Sequence, residues 1–260
     1  MNTHPLTPLS AEEIKTAAAC VRDQAGMDRT YFFETITLDE PTHEEMAAFR
    51  AEGLQPLRRA YVCCYERSSN RTLRGCVDLS AEKLLNWDHV PGVQARIPPE
   101  EFAASDKIAK ADPRVIEALA KRGITDMDKV LIETWAPGNF GYPEEEGRRI
   151  AYCHCWVINE AGDNRYGRPI GNLHPVLDLQ VGEVIRVDDF GVIPLPPDSA
   201  AIRPSEGLRG DIKPLNITQP DGPSFEVEGY QVRWQRWNIR IGYNLREGLV
   251  LHDKNGRAHV

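Results

Sequence analysis

One order of elements occurs twice in this 260-residue chain: a helical stretch, then a run of strand-forming segments broken by turn residues. A helix cannot bury its apolar stripe alone, and a sheet cannot bury its apolar face alone. Laying the helix on an antiparallel meander serves both. In the first pass Ser10 and Glu13 form a capping box, Ile14, Ala17, Ala18 and Val21 keep helical spacing, and Gly26 is the expected stop. Strands are then predicted at Tyr31–Leu38, Arg59–Glu66, Thr72–Leu79 and Lys83–Trp87, with Ser68, Ser69 and Asn70 as a turn.

After Pro91-Gly92 the order begins again. Pro98 and Pro99 open a helical stretch, and Asp112-Pro113 starts another, with Ile116, Leu119 and Ala120 as its apolar face and Gly123 as its end. Strands are expected at Lys129–Thr134, Arg149–Ile158, His174–Leu179 and Glu183–Asp188. Val77-Asp78-Leu79 matches Leu177-Asp178-Leu179, Leu84-Leu85 matches Val184-Ile185, and Asp88 matches Asp188. A duplicated unit explains this, and so does the frequency of apolar-Asp-apolar before hairpins in sheet proteins.

From Val192 to Pro223 strand periodicity gives way to recurring proline (Pro194, Pro196, Pro197, Pro204, Pro214, Pro220, Pro223), the pattern of a connector. Strands resume at Ser224–Glu228, Val232–Trp237, Asn238–Tyr243 and Gly248–His252, and Lys254-Asn255-Gly256 signals a turn. A sheet begun this late has little left to pair with, so these strands are expected to be the start of something larger. The expected domains are therefore 8–95, 96–192, a proline-rich connector at 193–223, and the first strands of a further domain at 224–260.

A net charge of −8 argues against nucleic acid, because phosphate needs a basic face. No run reaches the roughly 18 apolar residues of a membrane span, and Met1–Ser10 lacks the form of a secretory signal. A cytoplasmic protein without a membrane partner is the expectation. The six cysteines, Cys20, Cys63, Cys64, Cys76, Cys153 and Cys155, lack framework spacing and are expected to be reduced.

The string Asn216-Ile217-Thr218-Gln219-Pro220-Asp221-Gly222-Pro223-Ser224-Phe225, followed by Trp234, Trp237 and Gly242-Tyr243-Asn244-Leu245-Arg246-Glu247-Gly248-Leu249-Val250-Leu251, resembles the entry to the catalytic β-sandwich of copper- and topaquinone-dependent primary-amine oxidases. His4-Pro5-Leu6 to Glu13 and Trp87–Val93 resemble the start and end of that family's first small domain. Gly147-Arg148-Arg149 and Asp163–Ile170 fit the second. The resemblance implies an α+β fold: two tandem cystatin-like domains, helix on curved antiparallel sheet, then the opening strands of the β-sandwich. It implies a homodimeric enzyme that converts a primary amine, oxygen and water to an aldehyde, ammonia and hydrogen peroxide. In that enzyme this chain would shape the substrate channel and pack on the catalytic domain.

The family's chemistry is not carried by this segment. Its cofactor tyrosine sits in an Asn-Tyr-Asp/Glu-Tyr string, whereas here Tyr243 precedes Asn244. Its copper is held by a His-x-His pair and a distant third histidine. The seven histidines here, His4, His43, His89, His154, His174, His252 and His259, include no such pair. The catalytic aspartate belongs to a segment expected after position 260. No catalytic or metal residue is assigned, and the chain alone is expected to be inactive and without cofactor. A stand-alone binding subunit that associates with a separate amine oxidase chain is the alternative.

Other motifs have ordinary readings. Cys153-His154-Cys155 alternates faces along a strand and lacks further zinc ligands, so two buried thiols are expected, with His154 opposite. Cys63-Cys64 reads alike. No nucleophile elbow occurs, and Gly138-Asn139-Phe140-Gly141 lacks the lysine and hydroxyl of a phosphate loop. By resemblance Phe102, Trp135 and Tyr166 fall where the family's second small domain lines the amine channel. The channel reading is favoured for Trp135 and Tyr166, which are expected close together and partly exposed, whereas Phe102 fits a helix-face aromatic equally well.

Overall fold

The computed structural model describes residues 4–159, 164–197 and 209–255; Asp163, Pro204, Gly256 and His259, named above, lie outside the described residues. The chain divides into two compact units, one of Met1–Glu66, Arg71–Ala95 and Pro214–Val260, the other of Arg67–Asn70 and Arg96–Lys213. Both are mixed α/β with antiparallel sheets.

The first unit opens with helix α1 (Ala11–Gln24), whose capping box between Ser10 and Glu13 is formed in both directions. Strands β1 (Tyr31–Asp39), β2 (Arg59–Glu66), β3 (Arg71–Asp78) and β4 (Lys83–Val90) make a meander in the order β1-β2-β3-β4. Ala17, Cys20 and Val21 of α1 pack on Ala60, Val62, Cys64 and Val77, the inward residues of the sheet. Helix α2 (His43–Glu52), between β1 and β2, is absent from the sequence reading. Its only buried residue is Met46, so it shows no apolar stripe. What marks it is a second capping box, Thr42 with Glu45, and Gly53 in the left-handed conformation that closes it.

The last four strands belong to the same unit: β9 (Phe225–Glu228), β10 (Gln231–Trp234), β11 (Trp237–Asn244) and β12 (Gly248–Asn255). The expected shortage of pairing partners is corrected here, because these strands form their own antiparallel sheet in the order β12-β11-β10-β9. Trp237, read as the end of one strand, begins the next, because Gln235 and Arg236 turn the chain. Among the described residues of this sheet only Gly242 is buried. The His252 ring lies on it so closely that a Cβ there would sit 2.5 Å from Nε2.

In the second unit α3 (Pro99–Ala111) and α4 (Pro113–Ala120) precede β5 (Val130–Trp135), β6 (Ile150–Val157), β7 (Leu173–Asp178) and β8 (Glu183–Asp189), ordered β5-β6-β7-β8. Short 3-10 turns occupy Met127–Lys129 and Pro143–Glu145. Ala109, Val115, Ala118 and Leu119 of the helices meet Ile132, Cys153, Cys155, Leu173 and Leu177 of the sheet in one core. No helix among the described residues is long and apolar enough to cross a membrane.

The two meanders match residue for residue. Val77 pairs with Leu84 and Leu177 with Val184, a register shift follows at Cys76 and at Val176, and Arg74–Asp88 corresponds to His174–Asp188. Asp78 accepts a backbone N–H from Ser80, and Asp178 accepts one from Gln180. An irregularity placed identically in both hairpins favours duplication over chance similarity.

Candidate functional site

Alternation along β6 sends Cys153 and Cys155 into the core and Tyr152, His154 and Trp156 to the other face. On β5 the register sets Glu133 opposite His154 and Trp135 opposite Tyr152. The exposed face of the second sheet therefore carries a run of rings. Trp135 meets His154 edge-on at 6.0 Å, His154 meets Trp156 at 6.0 Å, and Trp156 meets Tyr166 edge-on at 5.3 Å. His174 extends the run from β7, with its ring 5.1 Å from that of His154. Tyr166 comes from the turn after the described end of β6, where its hydroxyl donates to Glu133 Oε1 at 2.8 Å.

Trp135 and Tyr166 are each 56% exposed, and His154 and Trp156 link them along this face. Phe102, 41% exposed, lies on α3, the helix that packs against β5. Among the described residues no ring contact joins Phe102 to Trp135 or Tyr166. Glu133, His154, Trp156 and His174 were missed as site residues. The alternation of Cys153-His154-Cys155 pointed His154 to this face, but nothing in the sequence gave the strand register that brings Glu133 and His174 beside it.

Polar groups fix the rest of the face. Arg186 on β8 donates to the Tyr152 hydroxyl at 2.8 Å and to Asp188 at 3.0 Å, and pairs with Glu145 at 2.6 Å. Its guanidinium lies over the Tyr142 and Tyr152 rings at 5.1 and 5.4 Å. Burial, and then the neighbouring His174, hold the His154 imidazole below its ordinary pKa, so it is neutral at pH 7. Glu133, accepting from Tyr166, raises that phenol above its usual range. On the core side burial pushes the Cys155 thiol up to about 12 and the Cys153 thiol up as well. Buried protonated thiols are poor metal ligands and poor nucleophiles. Among the described residues no three His, Cys, Asp or Glu side chains gather as metal ligands would.

Comparison with known proteins places the chain. Residues 4–90 match the model of the copper amine oxidase N2 domain, and residues 100–201 match that of the N3 domain. A primary amine oxidase of Arthrobacter sp. (strain P1) is 38% identical over 253 residues, covering 96% of this chain and 38% of the relative. The peroxisomal copper-containing diamine oxidase 1 of Nicotiana tabacum is 32% identical over 293 residues, covering 96% and 37%. The crystal structure of a copper-containing benzylamine oxidase from Hansenula polymorpha superposes with a TM-score of 0.78 at 23% identity, over 98% of this chain and 42% of that one. The chain thus spans well under half the length of these relatives. With two family domains in order and relatives that align along nearly its whole length, the chain belongs to the copper amine oxidase family.

Proposed function

We propose that this chain serves a copper- and topaquinone-dependent primary-amine oxidase by shaping the path along which the amine enters. The observation that carries the reading is the run Trp135–His154–Trp156–Tyr166, exposed at both ends and half-buried between them. Large aromatics are normally mostly buried, and a contiguous exposed group of them marks a surface that meets a ligand or partner. Flat apolar walls suit a passage that takes a small amine out of water. The described residues do not fit a copper centre, since no three candidate ligands converge. No step of the oxidation is therefore assigned to them. Copper, topaquinone and the homodimer belong to the complete enzyme in this proposal, and the chain alone is inactive. The domain limits 8–95 and 96–192, and the cystatin-like description of each, are part of the same reading.

The test uses a complete oxidase that contains this chain. Trp135→Ala is expected to change KM and amine preference by about tenfold, with kcat and the quinone absorbance little altered, because the residue guards entry and not chemistry. An unchanged KM across aromatic and alkyl amines would remove the channel assignment. A second reading, a binding subunit that docks on a separate oxidase chain, is supported by the exposed Phe225, Val227, Trp234, Tyr243, Leu249 and Leu251 of the last sheet. It predicts co-purification with that chain.

A further inference from the structure

Glu133 is a carboxylate set among aromatic rings. His154 faces it across the strand pair, Trp135 follows two residues along the same face, and Tyr166 donates to Oε1 at 2.8 Å. Trp156, tilted against His154 at 6.0 Å and edge-on to Tyr166 at 5.3 Å, completes the surround. No cation among the described residues pairs with this carboxylate. The other acids on this face are occupied: Asp188 and Glu145 both bind Arg186. His154, opposite Glu133 in the strand register, is kept neutral near pH 7 by burial and by His174.

We propose that Glu133, with Trp135, Trp156 and Tyr166, forms a reception site for organic ammonium ions. The carboxylate takes one ammonium N–H through Oε2, which Tyr166 leaves free, and the ring faces attract the charge and cover the attached carbon chain. A neutral molecule of the same shape gains only the ring contacts. The site thus selects for charge, which apolar walls alone cannot do. Acidification closes it: a proton on His154 places a cation directly opposite Glu133 and competes with the ligand. His174, Tyr152, Arg186 and Asp188 are the other titratable groups on this face, and Arg165 stands beside Tyr166. The proposal deepens the channel reading and rests on it for any effect on catalysis; the binding itself stands on Glu133.

The experiment titrates the 260-residue chain with phenylethylammonium and with the neutral 2-phenylethanol, following the indole N–H signals of Trp135 and Trp156 by NMR. Expected is saturable ammonium binding about tenfold tighter than the alcohol. Glu133→Gln should remove that preference while the remaining spectrum is unchanged. Lowering the pH from about 7.5 to about 5.5 should weaken ammonium binding, and His154→Gln should abolish that pH dependence. Equal binding of alcohol and ammonium, unaltered affinity in Glu133→Gln, or no ammonium binding up to ~50 mM, a weak limit for such cation–π sites, would each overturn the site. Glu133-dependent binding alongside an unchanged KM in the Trp135→Ala oxidase would instead overturn the channel reading and leave the site standing.

Discussion

Arg149 grips Glu101 with three bonds: Nε donates to both carboxylate oxygens at 2.9 and 3.0 Å, and Nη2 donates at 2.7 Å, with the guanidinium fully buried. The first unit repeats the device. Arg58, just before β2, binds Glu13 of α1 at 2.7 and 3.1 Å. Each glutamate sits in the first turn of its helix, where the helix dipole favours a negative charge. Each arginine also gives its carbonyl to the hairpin that follows: Leu79 N–H donates to Arg58 at 3.0 Å, and Leu179 N–H to Arg149 at 2.7 Å. One side chain and one carbonyl thereby tie helix start, strand start and hairpin together, twice.

Burial separates the two copies and makes a prediction. Side-chain exposures are 0% and 7% for Arg149 and Glu101, against 18% and 28% for Arg58 and Glu13. Arg149→Met strands a buried carboxylate and is expected to cost about 3–5 kcal/mol. Arg58→Met leaves Glu13 partly hydrated and is expected to cost about 1 kcal/mol. Urea unfolding, followed by amide signals in β6 and β2, measures both. Equal losses would show that burial does not set the difference.

The sequence reading found the elements that carry a periodic apolar face or a cap followed by one, which is why both meanders and α1 were legible. It missed α2, whose helix is held by caps at both ends and buries little. It misjudged β9–β12 because it looked for partners elsewhere, whereas these four strands pair with one another through successive tight hairpins. At the site, the resemblance pointed to Trp135 and Tyr166, but Glu133, His154 and His174 became neighbours only through the β5-β6-β7 register. A one-residue slip would send each of them to the core face.

The matched hairpins also differ at one turn position. Glu82 adopts φ 50°, and its counterpart Gly182 φ 78°. A side chain in the left-handed region costs about 1 kcal/mol or more, partly offset by the extra freedom glycine has in the unfolded chain. Glu82→Gly is expected to stabilise the first unit by a few tenths to about 1 kcal/mol. Gly182→Ala should destabilise the second by about 1 kcal/mol, since a Cβ there finds space, 3.6 Å from Ile108, and meets only backbone strain. Opposite signs in thermal unfolding are the expected result, and a loss in both variants would refute the equivalence.

All six thiols are raised, Cys63 to about 11 and Cys76 and Cys155 to about 12, with burial the leading cause in each. At pH 8 the folded chain should therefore react with a thiol reagent far more slowly than the urea-unfolded chain, which exposes six cysteines. Linkage fixes the sign of the pH effect. Above the ordinary thiol value the unfolded chain loses protons that the fold retains, so stability falls as pH rises from about 8.5 toward the raised values. Unfolding midpoints that hold constant up to about pH 10 would contradict the shifts.

The last sheet should be the least protected part of the first unit. Its hydrogen bonds are as complete as those of β1–β4, so pairing alone would predict equal protection. Burial decides otherwise. The β1–β4 sheet has α1 on one face, with Val62, Cys64 and Val77 fully covered, whereas among the described residues of β9–β12 only Gly242 is buried. Opening a segment costs little when it exposes little apolar area. Among the described residues two contacts in the same unit reach the sheet, Arg50 with Asp253 at 2.6 Å and His252 near Glu40 at 3.7 Å, and each has at least one partner half exposed. Such pairs contribute about 0–1 kcal/mol each, too little to replace a core. Native-state hydrogen exchange should find Val232–Tyr243 faster than Ala60–Tyr65 by orders of magnitude. Asp253→Asn and raised salt should accelerate β12 further. Exchange at Val232–Tyr243 as slow as in β2 would show that these strands have a stabilising partner other than their own pairing.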